Sequence, residues 1–283
     1  MSEHRITLGG VELAYDQAGE GGRPLLLVHG FTGAKEDFGD WMGRFGDAGW
    51  WVVAPDLRGH GASAKPRDEA DYSFATFGQD LLALVEHLGW DHYCLLGHSM
   101  GGAVAQELVI GDPDRIAGLV LMDTHHGAFE GLAPSVVRQG AELVRTEGLP
   151  ALVAVLDAFA TPRPAPEQRV RDTRPGFVSW NEAKLAAASP QMYAAMAVEL
   201  VTRPDRLPEL SALDVPTLVV VGELDTNLVA AAHRMGAAIP VAQLAMIPDA
   251  AHSPQFENPD AWWGAVSSFL LSMANGTQRS PSS

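Results

Sequence analysis

Apolar residues along the chain follow two patterns, short runs and longer stretches with helical spacing. The short runs are typical of strands that are buried on both faces of a sheet. They lie at residues 25–28, 51–54, 94–96, 119–122 and 217–221, with a further strand expected at residues 242–247. Residues 74–88 instead place Phe77, Leu81 and Leu88 on one helical face. Strands that alternate with helices predict the α/β class, with a mostly parallel central sheet flanked by helices.

The first strands differ from the rest because they are joined by a tight turn. Residues 5–8 and 11–18 flank Gly9 and Gly10, which is a hairpin signal and predicts antiparallel strands at one edge of the sheet. Further helices are expected at residues 103–110 and 259–273. Residues 35–37 (Lys-Glu-Asp) are expected to form a solvated helix start, and Asp56 and Arg58 are expected to shape a loop.

A long segment without strand patterns interrupts the alternation between residues 124 and 205. Helical spacing is present at residues 134–147, 150–159, 180–188 and 190–201, with a proline-rich link at residues 161–166. A structureless loop of this length is improbable in a compact domain, so we expect an inserted helical lid at residues 124–205. The α/β core is then made of residues 1–123 and 206–274, and residues 275–283 are expected to be a disordered tail.

The composition excludes several classes of protein. Hydrophobic residues make up 47% of the chain, which provides enough apolar material for a large buried sheet. The chain has 19 basic and 35 acidic residues and a net charge of −16, so it should repel nucleic acid, and we interpret the charge as a solubility feature.

No targeting segment or membrane span is expected. The single cysteine, Cys94, is compatible with a cytoplasmic location. The oligomeric state stays open.

Residues 97–101 read Gly-His-Ser-Met-Gly and match the pattern G-x-S-x-G. The motif lies between an apolar strand and a helix, which is the context that a nucleophile elbow requires. Small residues allow the sharp turn, and the helix N-terminus directs backbone N–H groups and a positive dipole end at the reacting oxygen. This context favours Ser99 as a nucleophile.

The elbow and three other blocks resemble the α/β-hydrolase superfamily. Residues 29–33 (His-Gly-Phe-Thr-Gly) follow a buried strand and are similar to the family's oxyanion loop. Residues 56–63 resemble the family's D-x-R-G-x-G-x-S segment, and Gly-Glu-Leu-Asp at 222–225 pairs with Ala-His-Ser-Pro at 251–254. The resemblance spans residues 6–271 and is weakest in the expected lid. It implies a serine hydrolase that needs no cofactor and no metal.

A serine hydroxyl requires a base, and the base requires an orienting acid. The resemblance places the base at His252 and the acid at Asp225, after the strand at residues 217–221. Asp123, after the strand at residues 119–122, is an alternative acid that some members of the superfamily use. Glu223 and Asp249 are weaker candidates by position.

The resemblance also implies an oxyanion hole and a substrate pocket. The oxyanion would be held by the backbone amides of Phe31 and Met100. Four side chains near the elbow, the strand ends and the expected lid are candidates for the pocket. They are His98, His125, Trp180 and Tyr193.

The sequence favours hydrolysis of a small to medium carboxylic ester or lactone. Thioesterase activity and carbon–carbon bond hydrolysis on the same triad stay open, although His98 and Phe256 depart from the carbon–carbon hydrolase pattern. Ser99 replaces the elbow aspartate that dehalogenases and common epoxide hydrolases need. A non-hydrolytic small-molecule receptor is the alternative outside enzymes. We therefore expect a small-molecule ester as the binding partner.

Overall fold

The core of the protein is an eight-stranded sheet with the order β1-β2-β4-β3-β5-β6-β7-β8. A computed structural model describes residues 2–159 and 162–276 of the 283-residue chain. β1 pairs antiparallel with β2, β2 pairs antiparallel with β4, and all other neighbours are parallel. The strands are β1 (Ser2–Leu8), β2 (Val11–Ala18), β3 (Arg23–Val28), β4 (Trp50–Pro55), β5 (Tyr93–His98), β6 (Ile116–Met122), β7 (Thr217–Gly222) and β8 (Ala242–Ile247).

The described residues contain twelve α-helices. They are α1 (Gly39–Asp47), α2 (Phe74–His87), α3 (Met100–Gly111), α4 (Pro134–Glu147), α5 (Leu149–Ala158), α6 (Ala165–Thr173), α7 (Phe177–Ala187), α8 (Pro190–Thr202), α9 (Leu207–Leu210), α10 (Val229–Ala238), α11 (Pro254–Glu257) and α12 (Pro259–Gly276). Short 3-10 helices occupy Lys35–Phe38, Glu69–Asp71 and Pro113–Arg115.

Alternate residues of the central strands are buried in two separate hydrophobic clusters. In β3, Leu26 belongs to a cluster with α2 and α3, whereas Leu25 belongs to a cluster with α1 and α12. Because successive side chains of a strand point to opposite faces, this division shows that helices cover both faces of the sheet. The prediction of a mostly parallel sheet flanked by helices is confirmed.

Helices α4 to α8 lie between β6 and β7, in the segment where the sequence pattern predicts no strand. The boundaries of the four predicted helices agree within three residues, but α6 was not predicted and begins inside the proline-rich link. Pro166 stands in the first turn of α6, where a helix tolerates proline because that N–H has no helical partner. We call α4 to α8 the helical insert.

Two local expectations are wrong. Lys35 and Asp37 are buried, with 4% and 5% of their surfaces exposed, and do not form a solvated helix start. The Lys35 ammonium pairs with Glu36 and with the buried Asp56, which offsets the cost of its burial. The expected disordered tail begins too early, because α12 continues to Gly276. Residues 277–283 of that tail lie outside the described residues.

Candidate active site

Ser99 stands at the sharp turn between β5 and α3. Its backbone has φ 54° and ψ −117°, a conformation that residues other than glycine rarely adopt. Holding a residue in such a conformation costs about 1–3 kcal/mol. The turn also needs glycine on both sides: a Cβ on Gly97 would lie 2.3 Å from the Gly101 carbonyl oxygen, and a Cβ on Gly101 would lie 2.3 Å from the Val28 carbonyl oxygen. The backbone therefore presents Ser99 in a tightly held conformation at the carboxyl end of β5.

The side chains of Ser99, His252 and Asp225 form a continuous hydrogen-bonded row. His252 Nε2 lies 3.0 Å from Ser99 Oγ, and His252 Nδ1 lies 2.6 Å from Asp225 Oδ2. A carboxylate only accepts hydrogen bonds, so in the neutral imidazole Nδ1 carries the proton and Nε2 has a free lone pair facing Ser99. Asp225 follows β7 and is buried, and His252 follows β8. Two strand ends thus bring both partners to the elbow.

The pKa of His252 is raised to about 8. Partial desolvation of the half-exposed imidazole acts to lower this pKa, but the hydrogen bond and the negative charge of Asp225 outweigh it. In their ionised forms, Asp123 and Glu257 act in the same direction as Asp225. The imidazole therefore binds a proton more readily than a free histidine does.

Asp123, the alternative acid, lies in the same site but makes different contacts. It is fully buried with φ 43°, and its Oδ1 accepts a hydrogen bond from the Gly222 amide at 2.9 Å. Its Oδ2 has no partner among the described residues. Burial, together with the charge of Asp225, raises the pKa of Asp123 well above its usual value. The hydrogen bond to His252 belongs to Asp225.

The two weaker acid candidates are engaged elsewhere. Glu223 Oε1 accepts a hydrogen bond from the backbone N–H of Asp249 at 2.7 Å. The Asp249 carboxylate forms an ion pair with Arg169 of α6 at 2.8 Å. Neither side chain contacts the imidazole of His252 among the described residues.

The amides expected for the oxyanion hole flank Ser99. Met100 is the first residue of α3, and Phe31 follows β3 in the loop beside Ser99. Neither backbone N–H donates a hydrogen bond to any residue in the described ranges. Both amides therefore have a donor to offer to a ligand.

A large apolar cavity of about 830 Å³ opens on Ser99 and His252. This volume lies within the usual range of about 300–1,000 Å³ for small-molecule sites. The helical insert supplies most of its apolar wall, of which sequence reasoning identified Tyr193 but not the residues of α4 and α5. Its members from α4 and α5 include Val136, Val137, Leu143, Leu152, Val155 and Leu156. We call this space the acyl cavity.

A second, smaller cavity of about 130 Å³ shares Phe31, Ser99 and His252 with the first. Its other walls are rich in polar side chains. They include Thr32, Asp37, His98, Asn181, Lys184 and Gln255. We call this space the polar cavity.

The four predicted pocket residues occupy different places. His125 and Tyr193 line the acyl cavity, and the Tyr193 ring packs 4.7 Å from the ring of Phe31. His98 lines the polar cavity. Trp180 lines neither of these two cavities, because its ring packs against Phe256 and under the ammonium of Lys184. Trp180 thus supports the polar cavity from outside.

Three potential metal-ligating atoms of Asp123, Asp225 and His252 lie within 4.8 Å of one another. Hydrogen bonds already use this set, since Asp225 accepts from His252 and Asp123 accepts from Gly222. A triad acid beside a histidine accounts for the same proximity without a metal.

Comparison with known proteins places the chain in a family. A sequence model described as the alpha/beta hydrolase fold matches residues 23–259. The chain belongs to this family. The prediction that it is a hydrolase of this fold is confirmed at the level of the family.

Individual relatives match nearly the whole chain. The 3-oxoadipate enol-lactonase 2 of Acinetobacter baylyi is 27% identical over 94% of this chain and 95% of its own length. The crystal structure of an enol-lactonase from Burkholderia xenovorans LB400 has a TM-score of 0.82 with 25% identity and covers 95% of this chain and 100% of its own. The structure of a thermophilic esterase from Thermogutta terrifontis has a TM-score of 0.79 with 31% identity. It covers 96% of this chain and 99% of its own.

No helix in residues 2–159 and 162–276 is both long and apolar enough to cross a membrane.

Proposed function

We propose that the protein hydrolyses carboxylic esters through an acyl-enzyme on Ser99. The row Ser99, His252 and Asp225, with contacts of 3.0 Å and 2.6 Å, is the observation that carries this proposal. The acyl cavity opens directly on the nucleophile. Its mainly apolar walls fit a medium-length acyl chain better than an acetyl group.

Acylation begins when the neutral His252 Nε2 takes the proton of Ser99 as Oγ attacks the ester carbonyl. The backbone amides of Phe31 and Met100 hold the oxyanion, and the positive end of α3 stabilises the same charge. Asp225 holds the imidazole in the required tautomer and stabilises the imidazolium. His252 then returns the proton to the leaving alcohol.

Deacylation repeats these steps with water. His252 takes a proton from water, which attacks the acyl carbonyl, and Ser99 leaves with the proton from His252. The step releases the carboxylic acid and restores the starting enzyme. The protein's own groups are sufficient for this chemistry.

We further propose that residues 124–205 act as a lid on a core formed by residues 1–123 and 206–274. Residues of α4, α5 and α8 line the acyl cavity together with Ser99, which supports this division. The lid would select the acyl group, because its side chains supply the distal wall.

A lactone is a second candidate substrate. The similarity to two enol-lactonases over nearly the full chain favours it. A lactone would acylate Ser99 in the same way, except that its alcohol stays attached to the acyl group. A volume of about 830 Å³ has room for either class of substrate.

A panel of p-nitrophenyl esters from acetate to laurate, with Ser99→Ala beside the wild type, tests the proposal. We expect an optimum at medium chain length and a loss of at least about 10⁴-fold in kcat for Ser99→Ala. Circular dichroism should show that the variant is folded. Wild-type turnover in a folded Ser99→Ala would refute the serine mechanism. Tight ligand binding without turnover would instead favour a receptor.

A further inference from the structure

The polar cavity lies beside the nucleophile but has no assigned role in the mechanism above. It meets the acyl cavity at Phe31, Ser99 and His252. An ester bound at Ser99 has two halves that leave the carbonyl carbon in different directions. If the acyl cavity takes the acyl half, the polar cavity offers space beside Ser99 for the alcohol half.

Two buried side chains that line this cavity carry polar atoms without partners. His98 and Gln255 are 6% and 2% exposed, and His98 Nδ1 and Gln255 Oε1 have no hydrogen-bond partner among the residues that the structure describes. Both residues line the cavity, and His98 Nδ1 is close to Gly30 in the cavity wall, where an added Gly30 Cβ would lie 3.5 Å from it. Unpaired buried polar atoms are costly, which makes them informative about a missing partner.

Both atoms are hydrogen-bond acceptors. His98 Nε2 donates to the His252 carbonyl oxygen at 2.7 Å, and burial lowers the pKa of His98 to about 3. The neutral ring therefore has no proton on Nδ1. The side-chain oxygen of Gln255 also only accepts. The missing partner is a hydrogen-bond donor.

The same cavity also offers a donor. The Lys184 ammonium lines it, pairs with Asp37, and lies 3.8 Å from the centre of the Trp180 ring. An ammonium has three N–H donors, and Asp37 is its one hydrogen-bond acceptor among the described residues. The wall of the cavity thus combines two side chains that have unpaired acceptors with a cationic donor.

A hydroxyl group satisfies both requirements because it donates and accepts at once. A carboxylate has no donor for His98 or Gln255 and would be repelled by Asp37. An ammonium group would be repelled by Lys184. The volume of about 130 Å³ corresponds to about four water molecules, at roughly 30 Å³ each, which is the size of a small diol.

We infer that the polar cavity binds the alcohol half of the substrate and selects alcohols that carry a second, free hydroxyl group. The preferred substrates are then monoesters of small diols or polyols with a medium-length acid. This inference rests on the proposed ester hydrolysis and deepens it by naming the leaving group.

Three hexanoate esters that share one acyl group provide the test. 2-Hydroxyethyl hexanoate carries the free hydroxyl, 2-methoxyethyl hexanoate keeps the electron-withdrawing oxygen without the donor, and propyl hexanoate has neither. We expect kcat/KM for the hydroxyethyl ester to exceed that for the methoxyethyl ester by about tenfold, which corresponds to one or two hydrogen bonds. A ratio near one in the wild type would overturn the inference.

Substitution at Gln255 tests whether the ratio of kcat/KM between the hydroxyethyl and methoxyethyl esters depends on the polar cavity. Gln255→Met keeps the length of the side chain and removes the acceptor, so we expect the ratio to fall to about twofold or less. Gln243→Met, the same change at an exposed position on β8, should leave the ratio unchanged. Because the readout is a ratio of two esters, a general loss of activity cancels. An unchanged ratio in folded Gln255→Met would overturn the assignment.

A transfer reaction checks the result without any variant. The acyl-enzyme formed from p-nitrophenyl hexanoate can be attacked by ethylene glycol or by 1-propanol in place of water. We expect glycol to capture the acyl group several times more often than propanol at equal concentration, and equal capture would contradict the inference. If all esters are inert, the proposed function fails too. If propyl hexanoate is hydrolysed without a hydroxyl preference, only this inference fails.

Discussion

Two aspartates lie within reach of one histidine, and their surroundings give them different roles. Asp225 accepts the hydrogen bond of His252 Nδ1, whereas Asp123 accepts one from a backbone amide and is fully desolvated. A raised pKa favours the neutral form of Asp123. The neutral acid stabilises an imidazolium less well than a carboxylate does.

Exchanging each aspartate for asparagine should therefore give unequal losses. We expect Asp225→Asn to lower kcat by about 10⁴-fold, because the imidazole then adopts the wrong tautomer. Asp123→Asn keeps the shape of the side chain and should lower kcat less than about tenfold. Steady-state hydrolysis of p-nitrophenyl hexanoate measures both. Equal losses, or a larger loss for Asp123→Asn, would move the role of orienting acid to Asp123.

The raised pKa of His252 predicts the pH profile. Only the neutral imidazole accepts the Ser99 proton, and the imidazole is protonated below a pKa of about 8. Thus kcat/KM should increase with pH, about tenfold per unit below pH 7, and level off above about pH 8. In Asp225→Asn the main cause of the raised pKa is absent, so the residual activity should titrate at lower pH. A flat profile between pH 6 and pH 8 would contradict this base.

At the scale of elements, the strand ends bring together the proposed catalytic groups, and the insert lines the acyl cavity. The motif around Ser99 and the segments after β7 and β8 were predictable, because each depends on a few adjacent residues. The cavity wall was not, because helical spacing identifies an apolar face without telling what that face contacts. In α4, apolar residues line the cavity and also contact α8.

Helix α5 should therefore control acyl length. Leu156 lines the acyl cavity and is 54% exposed, so the fold tolerates a larger side chain there. We expect Leu156→Trp to reduce kcat/KM severalfold for p-nitrophenyl laurate and to leave the acetate ester unchanged. The matched control is Leu271→Trp on α12, at a leucine that is 46% exposed and does not line the acyl cavity. Equal effects of the two variants on laurate would remove α5 from the pocket.

At the scale of the whole molecule, the insert and the core are joined by ion pairs across long sequence separations. Arg145 of α4 pairs with Glu69, and Arg174 pairs with Asp40 of α1. Lys184 of α7 pairs with the buried Asp37, and both residues line the polar cavity. No short sequence pattern encodes these contacts. The burial of Asp37 was consequently missed, although the sheet and the insert were predicted.

The chemistry at Ser99 also depends on the whole molecule, since residues 153 positions apart meet there. A hexyl p-nitrophenyl phosphonate tests this arrangement directly. An activated serine attacks its phosphorus, displaces p-nitrophenolate and remains as a covalent phosphonate ester. Intact-mass measurement and peptide mapping should find one adduct per chain, on Ser99, formed in step with the loss of esterase activity. Ser99→Ala should form no adduct, and His252→Ala should form it far more slowly. An adduct on another residue, or full esterase activity in a chain fully modified at Ser99, would contradict the account.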